Sequence, residues 1–300
     1  MKKTGIIGLG TITKHYLEGL EESKLLDVTA TCDLLQRAPS RKQFFDFEFY
    51  TDYKEMIANE DLDYVVISTP PASHYEIASY ALTQGLNVIM EKPAVLHLEQ
   101  YQELLDLAKE KGVIFEVMYH WQNGSEVISF NNLFDTSKIT EIHVSVMDPY
   151  SQDGKSINDD KVKLGGAWID SGVNILSMIK TWLPFESLEV ITTKKQVCEK
   201  TGLPIAAQVE LLLDGVKTYI NIDWTKNINR KESWVILGGE RYDIKHSEQS
   251  IVDGFIEMKF DDMERLAHHY YNYFKNYNEE IDVEGSFRIH QVLLAVNKKI

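Results

Sequence analysis

Residues 5–13 read GIIGLGTIT, a short apolar run that ends in two glycines, Gly8 and Gly10, with a helical pattern following. Strand, Gly-x-Gly and helix in that order make a tight turn. Its backbone can lie close to a pyrophosphate, whose charge is met by main-chain N–H groups. The third position of a G-x-G-x-x-G spacing is Thr13, neither Gly nor Ala, and a Gly-x-Gly at a strand end is common by chance. Context adds weight. Asp33 closes the next apolar run, 23 residues after Gly10. An acid there can accept hydrogen bonds from adenosine ribose hydroxyls, which favours NAD over NADP, while Arg37 nearby leaves NADP open. The candidate cofactor residues of this turn are Gly8, Gly10, Thr11, Ile12 and Asp33.

Outward from this turn the pattern repeats. Short apolar, β-branched runs at 4–8, 28–33, 64–69, 87–90 and 113–118 alternate with helical patterns at 12–24, 52–59, 73–84 and 98–111. Strands apolar on both faces suit a parallel sheet covered on both sides, and the alternation is that of βαβ units with right-handed crossovers. Beyond about residue 120 strands follow one another, at 141–147, 188–193, 208–213, 217–224 and 233–237. Asp214-Gly215 between two of them is a hairpin signal. Helices are expected at 166–182, 263–277 and 284–298. The fold class is α/β: a doubly wound Rossmann domain over 1–119, then an α+β domain over 120–300 with an open, mainly antiparallel sheet.

The chain has 300 residues, 44% hydrophobic and 26% charged, with a net charge of −15. Such acidity repels phosphate backbones and anionic lipid, so neither nucleic acid nor membrane is expected as a partner. The two cysteines stand in unrelated contexts, giving no disulfide framework or metal cluster. The apolar run near Met1 stops at Lys14 and His15, too short for a signal peptide or a bilayer span, so a soluble cytoplasmic protein without a metal is expected.

Three further motifs carry chemistry. STPPASH, residues 68–74, is a rigid turn at the carboxyl edge of the sheet, where ligands bind in such folds. Thr69 and Pro70 are candidate cofactor contacts. His74 is a third, beside the alternative that it only opens the next helix. NVIMEKP, residues 87–93, ends the fourth strand with Glu91, Lys92 and Pro93. A lysine there can donate to a substrate oxygen and polarise C–OH or C=O, although a surface lysine is the ordinary alternative. GGAWIDSGVNIL, residues 165–176, sets Asp170 and Asn174 four residues apart on one face of an apolar helix, either a satisfied core pair or a site. By contrast, the aromatic run HHYYNYFKNY at 268–277 is expected to be a packed helix.

Taken in order, GIIGLGTI, STPPASH, EKP and GGAWIDSGVN resemble the glucose–fructose oxidoreductase/inositol dehydrogenase family, Gfo/Idh/MocA, over essentially the whole chain. The resemblance implies a nicotinamide-dependent oxidoreductase in which Lys92 hydrogen-bonds the reacting oxygen. Glu91 would help hold the cofactor end of the site, and the Lys92–Pro93 peptide would be cis. Where most members carry a histidine as proton acceptor, this chain has Asn174, which cannot serve as a general base at neutral pH. Asp170 then becomes the base, with Asn174 orienting it or a sugar hydroxyl. A subgroup resembling aldose 1-dehydrogenases also carries D-x-G-x-N, and has a segment like MYHWQNG, residues 118–124, which makes His120 a substrate-binding candidate. That subgroup's tryptophan–histidine–proline segment is missing before Gly165.

The expected activity is hydride transfer between NAD, or NADP, and a sugar, polyol or sugar derivative. An NAD-dependent glycosidase of the same fold and a non-catalytic nucleotide or sugar sensor are the alternatives. The family is commonly dimeric or tetrameric, and the strands at 209–213 and 219–224 carry apolar residues on both faces. A homodimer or homotetramer joined through the C-terminal sheet is therefore expected.

Overall fold

A computed structural model describes residues 1–34, 47–151, 153–261 and 264–300. The chain forms two compact units, Met1–His120 with Leu266–Ser286, and Trp121–Arg265 with Phe287–Ile300. Arg37, and the expected start of a helix at Met263, lie outside the described residues.

The first unit holds a six-stranded parallel sheet in the order β3-β2-β1-β4-β5-β6. Its strands are β1 (Lys2–Ile7), β2 (Leu26–Cys32), β3 (Glu48–Tyr50), β4 (Tyr64–Ile67), β5 (Asn87–Glu91) and β6 (Phe115–Met118). The central strand β4 is buried at every position, as its unbroken apolar run requires. Helices α2 (Tyr53–Asn59), α3 (His74–Thr83) and α4 (Leu98–Lys111) fall close to the expected spans. Asp52 caps α2 by accepting from the Lys54 N–H, and Gly112 ends α4 in the left-handed conformation.

The helix expected at 12–24 is shorter: a 3₁₀ turn at Thr13–His15, then α1 over Leu17–Glu21 only. Tertiary packing decides this. Tyr16 and Leu20 are buried against Tyr270 and Phe274, which return from residues 266–286 into the core of this unit. Gly19 is required for that return, because a Cβ there would lie 2.8 Å from Cα of Tyr271.

The second unit is built on an eight-stranded sheet in the order β14-β13-β12-β11-β7-β10-β9-β8. These are β7 (Ile139–Met147), β8 (Leu188–Val197), β9 (Pro204–Leu213), β10 (Val216–Asp223), β11 (Arg230–Leu237), β12 (Glu240–Lys245), β13 (Ser250–Asp253) and β14 (Ile256–Lys259). All pairings are antiparallel except β7 with β10. The β9–β10 hairpin turns at Asp214-Gly215 with φ of 48° and 80°, the two positive values of a type I′ turn.

The outer face of this sheet is mixed: Leu212, Tyr219 and Trp234 lie in its outward set among polar side chains. Along β10, β11 and β7 from Ile142 onward buried residues alternate with ones that are not, and the outward set includes His143, Ser145, Tyr219, Asn221, Glu232 and Trp234. Helices α5 (Ser125–Leu133) and α7 (Val173–Trp182) contribute to the inner layer. Helix α9 (Val283–Asn297) anchors Trp168, whose Nε1 donates to the Leu293 carbonyl at 2.9 Å. Among the described residues no helix is long and apolar enough to cross a membrane.

Candidate functional site

The sheet order of the first unit reverses between β1 and β4, and the loops after these strands meet there. Gly8, at φ 100°, lies against the next crossover: a Cβ would come within 2.8 Å of the Ser68 and Thr69 backbone. Gly10 differs. A Cβ added to it would meet nothing within 4 Å, so the chain is open at the place where a dinucleotide would lie. Thr13, standing where the third glycine is usual, is fully buried. Its hydroxyl donates to the Gly8 carbonyl at 2.9 Å and lies 3.2 Å from Ser68 Oγ, while Ser68 Oγ donates to the same carbonyl at 2.7 Å. The hydroxyls pin the loop that a glycine would merely permit. Asp33 is placed at the end of β2 and is tied to the loop, its Oδ2 accepting from the Leu9 N–H at 2.8 Å. Thr11 is exposed and Ile12 half-buried.

His74 opens α3. It is fully buried, with Nδ1 3.0 Å from the Pro93 carbonyl and 3.2 Å from that of Ala94, and Nε2 2.7 Å from the Thr69 carbonyl. Burial pushes its pKa down, against the pull of these three carbonyls. Its ring nitrogens face carbonyls of both segments, so His74 links the turn after β4 to the EKP turn. Thr69 is half-buried and Pro70 exposed; Thr69 Oγ1 accepts from Ser73 Oγ at 2.8 Å.

Glu91 closes β5. It is buried, and its Oε1 accepts from the hydroxyls of Tyr16 and Tyr270, both at 2.6 Å. Its Oε2 accepts from the backbone N–H of Lys92 at 3.1 Å. Burial raises its pKa, and the Lys92 charge and the two tyrosines oppose that. Glu91 is thus an anchor that fixes the turn bearing Lys92. The Lys92–Pro93 peptide is cis, as the resemblance implies, and Lys92 is half-buried at the carboxyl edge shared with Gly10, Asp33 and Thr69. His120 is buried, its Nδ1 3.1 Å from Nδ1 of His269 and its ring packed on Tyr270. Tyr16, Tyr270 and His269 were not identified from sequence. The aromatic spacing of residues 268–277 marked the helix as packed but gave no sign of which carboxylate its tyrosines meet.

In the second unit Asp170 lies within a π-helical segment, Trp168–Gly172, that runs into α7. Gly165 and Gly166, at φ 81° and 94°, deliver the chain to it, and Gly166 packs on Pro204, which a Cβ would meet at 3.0 Å. A single π turn inside a helix often marks a functional position. Asn174 is buried and donates from Nδ2 to the main-chain carbonyl of Asp170 at 3.2 Å, so it braces the backbone that carries Asp170. Its Oδ1 is buried with no partner among the described residues. Also among the described residues, no group of three His, Cys, Asp or Glu could hold a metal ion.

Residues 2–119 match the Gfo/Idh/MocA oxidoreductase family with its NAD-binding Rossmann fold. The first unit carries an NAD-binding domain of that family. Two curated relatives illustrate the likeness. The inositol 2-dehydrogenase/D-chiro-inositol 3-dehydrogenase of Lactiplantibacillus plantarum is 31% identical over 37% of this chain and 33% of its own. The glucose-6-phosphate 3-dehydrogenase of Bacillus subtilis is 26% identical over 71% of this chain and 62% of its own. The chain therefore spans less than two thirds of the length of either. Among solved structures, GenD2 from gentamicin A biosynthesis, in complex with NAD, superposes with a TM-score of 0.82. It is 17% identical and the match covers 99% of this chain and 93% of its own, a likeness of fold that includes the second unit.

Proposed function

We propose that this protein is a nicotinamide-dependent oxidoreductase acting on a CH–OH group of a sugar, polyol or sugar derivative. The observation that carries the reading is Lys92, held at the same sheet edge as the open Gly10 loop by a buried Glu91 that two tyrosine hydroxyls clamp. A lysine fixed in this way is preorganised to donate to one oxygen, which is where electrostatic stabilisation of a developing alkoxide is needed.

In this reading Gly8, Gly10, Thr11, Ile12, Asp33, Thr69 and Pro70 hold the cofactor, NAD being favoured by Asp33. When bound, the nicotinamide supplies the hydride acceptor or donor. Lys92 hydrogen-bonds the reacting oxygen and Asp170 takes the hydroxyl proton. Asn174 braces the turn of helix bearing Asp170, and His120 serves substrate binding. The first domain serves the cofactor, and the second serves the substrate and the assembly of copies through its sheet. Support comes from the family match of residues 2–119 and from the two relatives named as dehydrogenases of polyol and sugar phosphate.

The test is nicotinamide absorbance with NAD and NADP, separately, against aldoses, inositols and sugar derivatives, with Lys92→Met alongside. The variant is expected to lose turnover and keep NAD affinity within a few-fold. Turnover by Lys92→Met at the wild-type rate would remove the role given to Lys92.

A further inference from the structure

Glu91 uses its two oxygens unequally. Oε1 accepts from the hydroxyls of Tyr16 and Tyr270, each at 2.6 Å, and Oε2 accepts from the backbone N–H of Lys92 at 3.1 Å. The two tyrosines come from opposite ends of the chain and are locked to each other. Their ring centroids are 4.9 Å apart. Gly19, in the helix that follows Tyr16, leaves no slack against the helix bearing Tyr270, since a Cβ there would lie 2.8 Å from Cα of Tyr271. Tyr16 is also tied to the glycine loop: its N–H donates to the Thr13 carbonyl at 3.0 Å, and the Thr13 hydroxyl donates to that of Gly8. Opposite Glu91 on β6 stands the apolar Met118. Among the described residues, the titratable groups against the carboxylate are therefore the two tyrosines and Lys92. Beyond them stand Tyr273, bonded to Glu116 at 2.8 Å, and His120, whose ring lies 5.2 Å from that of Tyr270.

We propose that Tyr16 and Tyr270 are positioning residues for Lys92: through Glu91 they set the turn that carries the lysine, and a proton on Glu91 releases that turn. Valence gives the reason. A carboxylate only accepts, and here it meets three donors. A carboxylic acid brings a hydrogen of its own. On Oε2 that hydrogen faces the Lys92 N–H; on Oε1 it faces two hydroxyls, one of which must turn away. Either way one bond of the clamp is lost inside a closed core, where an unmet polar group is costly. An apolar side chain at position 91 would pack this core without any of the three donors, so the charge serves the turn and not the packing. Burial favours the neutral acid and raises the Glu91 pKa, whereas the Lys92 charge, the two hydroxyls and the Lys92 N–H favour the carboxylate. Each hydroxyl thus holds part of the balance. A hydrogen bond to a charged group is worth about tenfold or more, so removing one hydroxyl moves the ionisation of Glu91 up by about one pH unit or more.

This role rests on the one given to Lys92 in the proposed function, so the first arm of its test needs no turnover. In the full-length protein without cofactor, NMR follows two signals against pH: the Glu91 carboxyl carbon in isotope-labelled glutamate, identified by Glu91→Gln, and the Lys92 amide in isotope-labelled lysine, identified by Lys92→Met. Tyr16→Phe and Tyr270→Phe are titrated beside the wild type. Both signals are expected to share one midpoint, and that midpoint to rise by about one pH unit or more in each Phe variant. The second arm measures kcat and KM against pH with NAD and a sugar or polyol that is turned over. The acid limb of kcat should move up by the same amount, leaving kcat about fivefold lower at the wild-type midpoint and close to wild type well above it. KM and NAD affinity should stay within about threefold, which separates positioning from binding. Glu91→Gln should lack the limb, and Glu116→Gln, which alters the next carboxyl, should keep it. Should one Phe variant fail to fold, the other reads the same shift. Phe variants with a lower Tm but an unmoved midpoint and limb, a Lys92 amide that ignores the Glu91 titration, or a limb lost in Glu116→Gln would each overturn the proposal. A wild type that turns over no sugar or polyol, while both NMR signals move as expected, would instead overturn the oxidoreductase reading and leave the clamp on the Lys92 turn standing.

Discussion

At the scale of single residues, the tyrosine-rich helix α8 (Arg265–Asn276) sets the energetics of the first unit through the carboxylates it buries. Glu116, on β6, accepts a hydrogen bond from Tyr273 at 2.8 Å, but desolvation dominates and its carboxyl is pushed up to about 7. A carboxyl raised in the folded state stabilises the fold fully below its unfolded pKa of about 4.5, and that contribution is lost as pH rises through the folded value. Stability should therefore fall between pH 5 and 8 by up to about 3 kcal/mol, and Glu116→Gln should flatten this part of the profile. Urea unfolding at a series of pH values measures it; a wild-type profile as flat as the variant's would refute the assignment. Glu91 is buried like Glu116 but receives two tyrosine hydroxyls and a backbone N–H, which is how a carboxylate can sit beside Lys92 without a partner from solvent. Neither environment could be read from sequence. The tyrosines that create them stand 75 to 179 positions away along the chain, and periodicity reports only which face of a helix is covered.

At the scale of elements, Gly10 and Gly166 differ in their surroundings. Gly10→Ala should leave Tm within about 1 °C of wild type, because a Cβ there meets no atom, yet weaken NAD binding tenfold or more by filling the space the pyrophosphate needs. Gly166→Ala should cost about 2–4 kcal/mol of stability. It must hold φ near 94°, outside the left-handed basin an alanine tolerates, and press its Cβ on Pro204. Thermal unfolding and fluorescence titration with NAD distinguish the two. A Gly10→Ala protein that binds NAD normally would place the cofactor elsewhere. The βαβ order, the span of α4, the β9–β10 hairpin and the order of the site loops were legible because each rests on local chemistry: apolar runs, caps and turn residues. The strands at 240–259 were not, since their side chains lack a sustained apolar alternation and depend on pairing to a neighbour for their shape. The π turn at Asp170 was hidden too, because a sequence that supports one extra residue per turn reads as an ordinary apolar helix.

At the scale of the molecule, the outer face of the second unit's sheet calls for a partner. A single row of side chains crosses four strands in register: Asp243, Trp234, His143 and Tyr219, on β12, β11, β7 and β10. His143 is stacked between Trp234 at 3.5 Å and Tyr219 at 4.2 Å, and Arg241 lies 4.5 Å from the Trp234 ring. The row lies in a concavity of about 610 Å³ that none of the candidate site residues lines. Lysines 194 and 245 share this face with Glu210, Glu232 and Asp243, so it is locally near neutral in a chain of charge −15. A face with both signs and an aromatic centre can pair with a copy of itself about a two-fold axis, each cation meeting an anion of the other copy, whereas the rest of so acidic a surface repels. The expected occupant is a second copy of this chain. Light scattering behind gel filtration should give a dimer or larger assembly for the wild type and a lower mass for Trp234→Glu, which puts a charge at the centre of the row. The Tm of the variant's subunit should change little, since Trp234 is only half-buried. A wild-type protein that runs as a monomer at tens of micromolar, or a Trp234→Glu variant of undiminished mass, would show that the sheet face has another use.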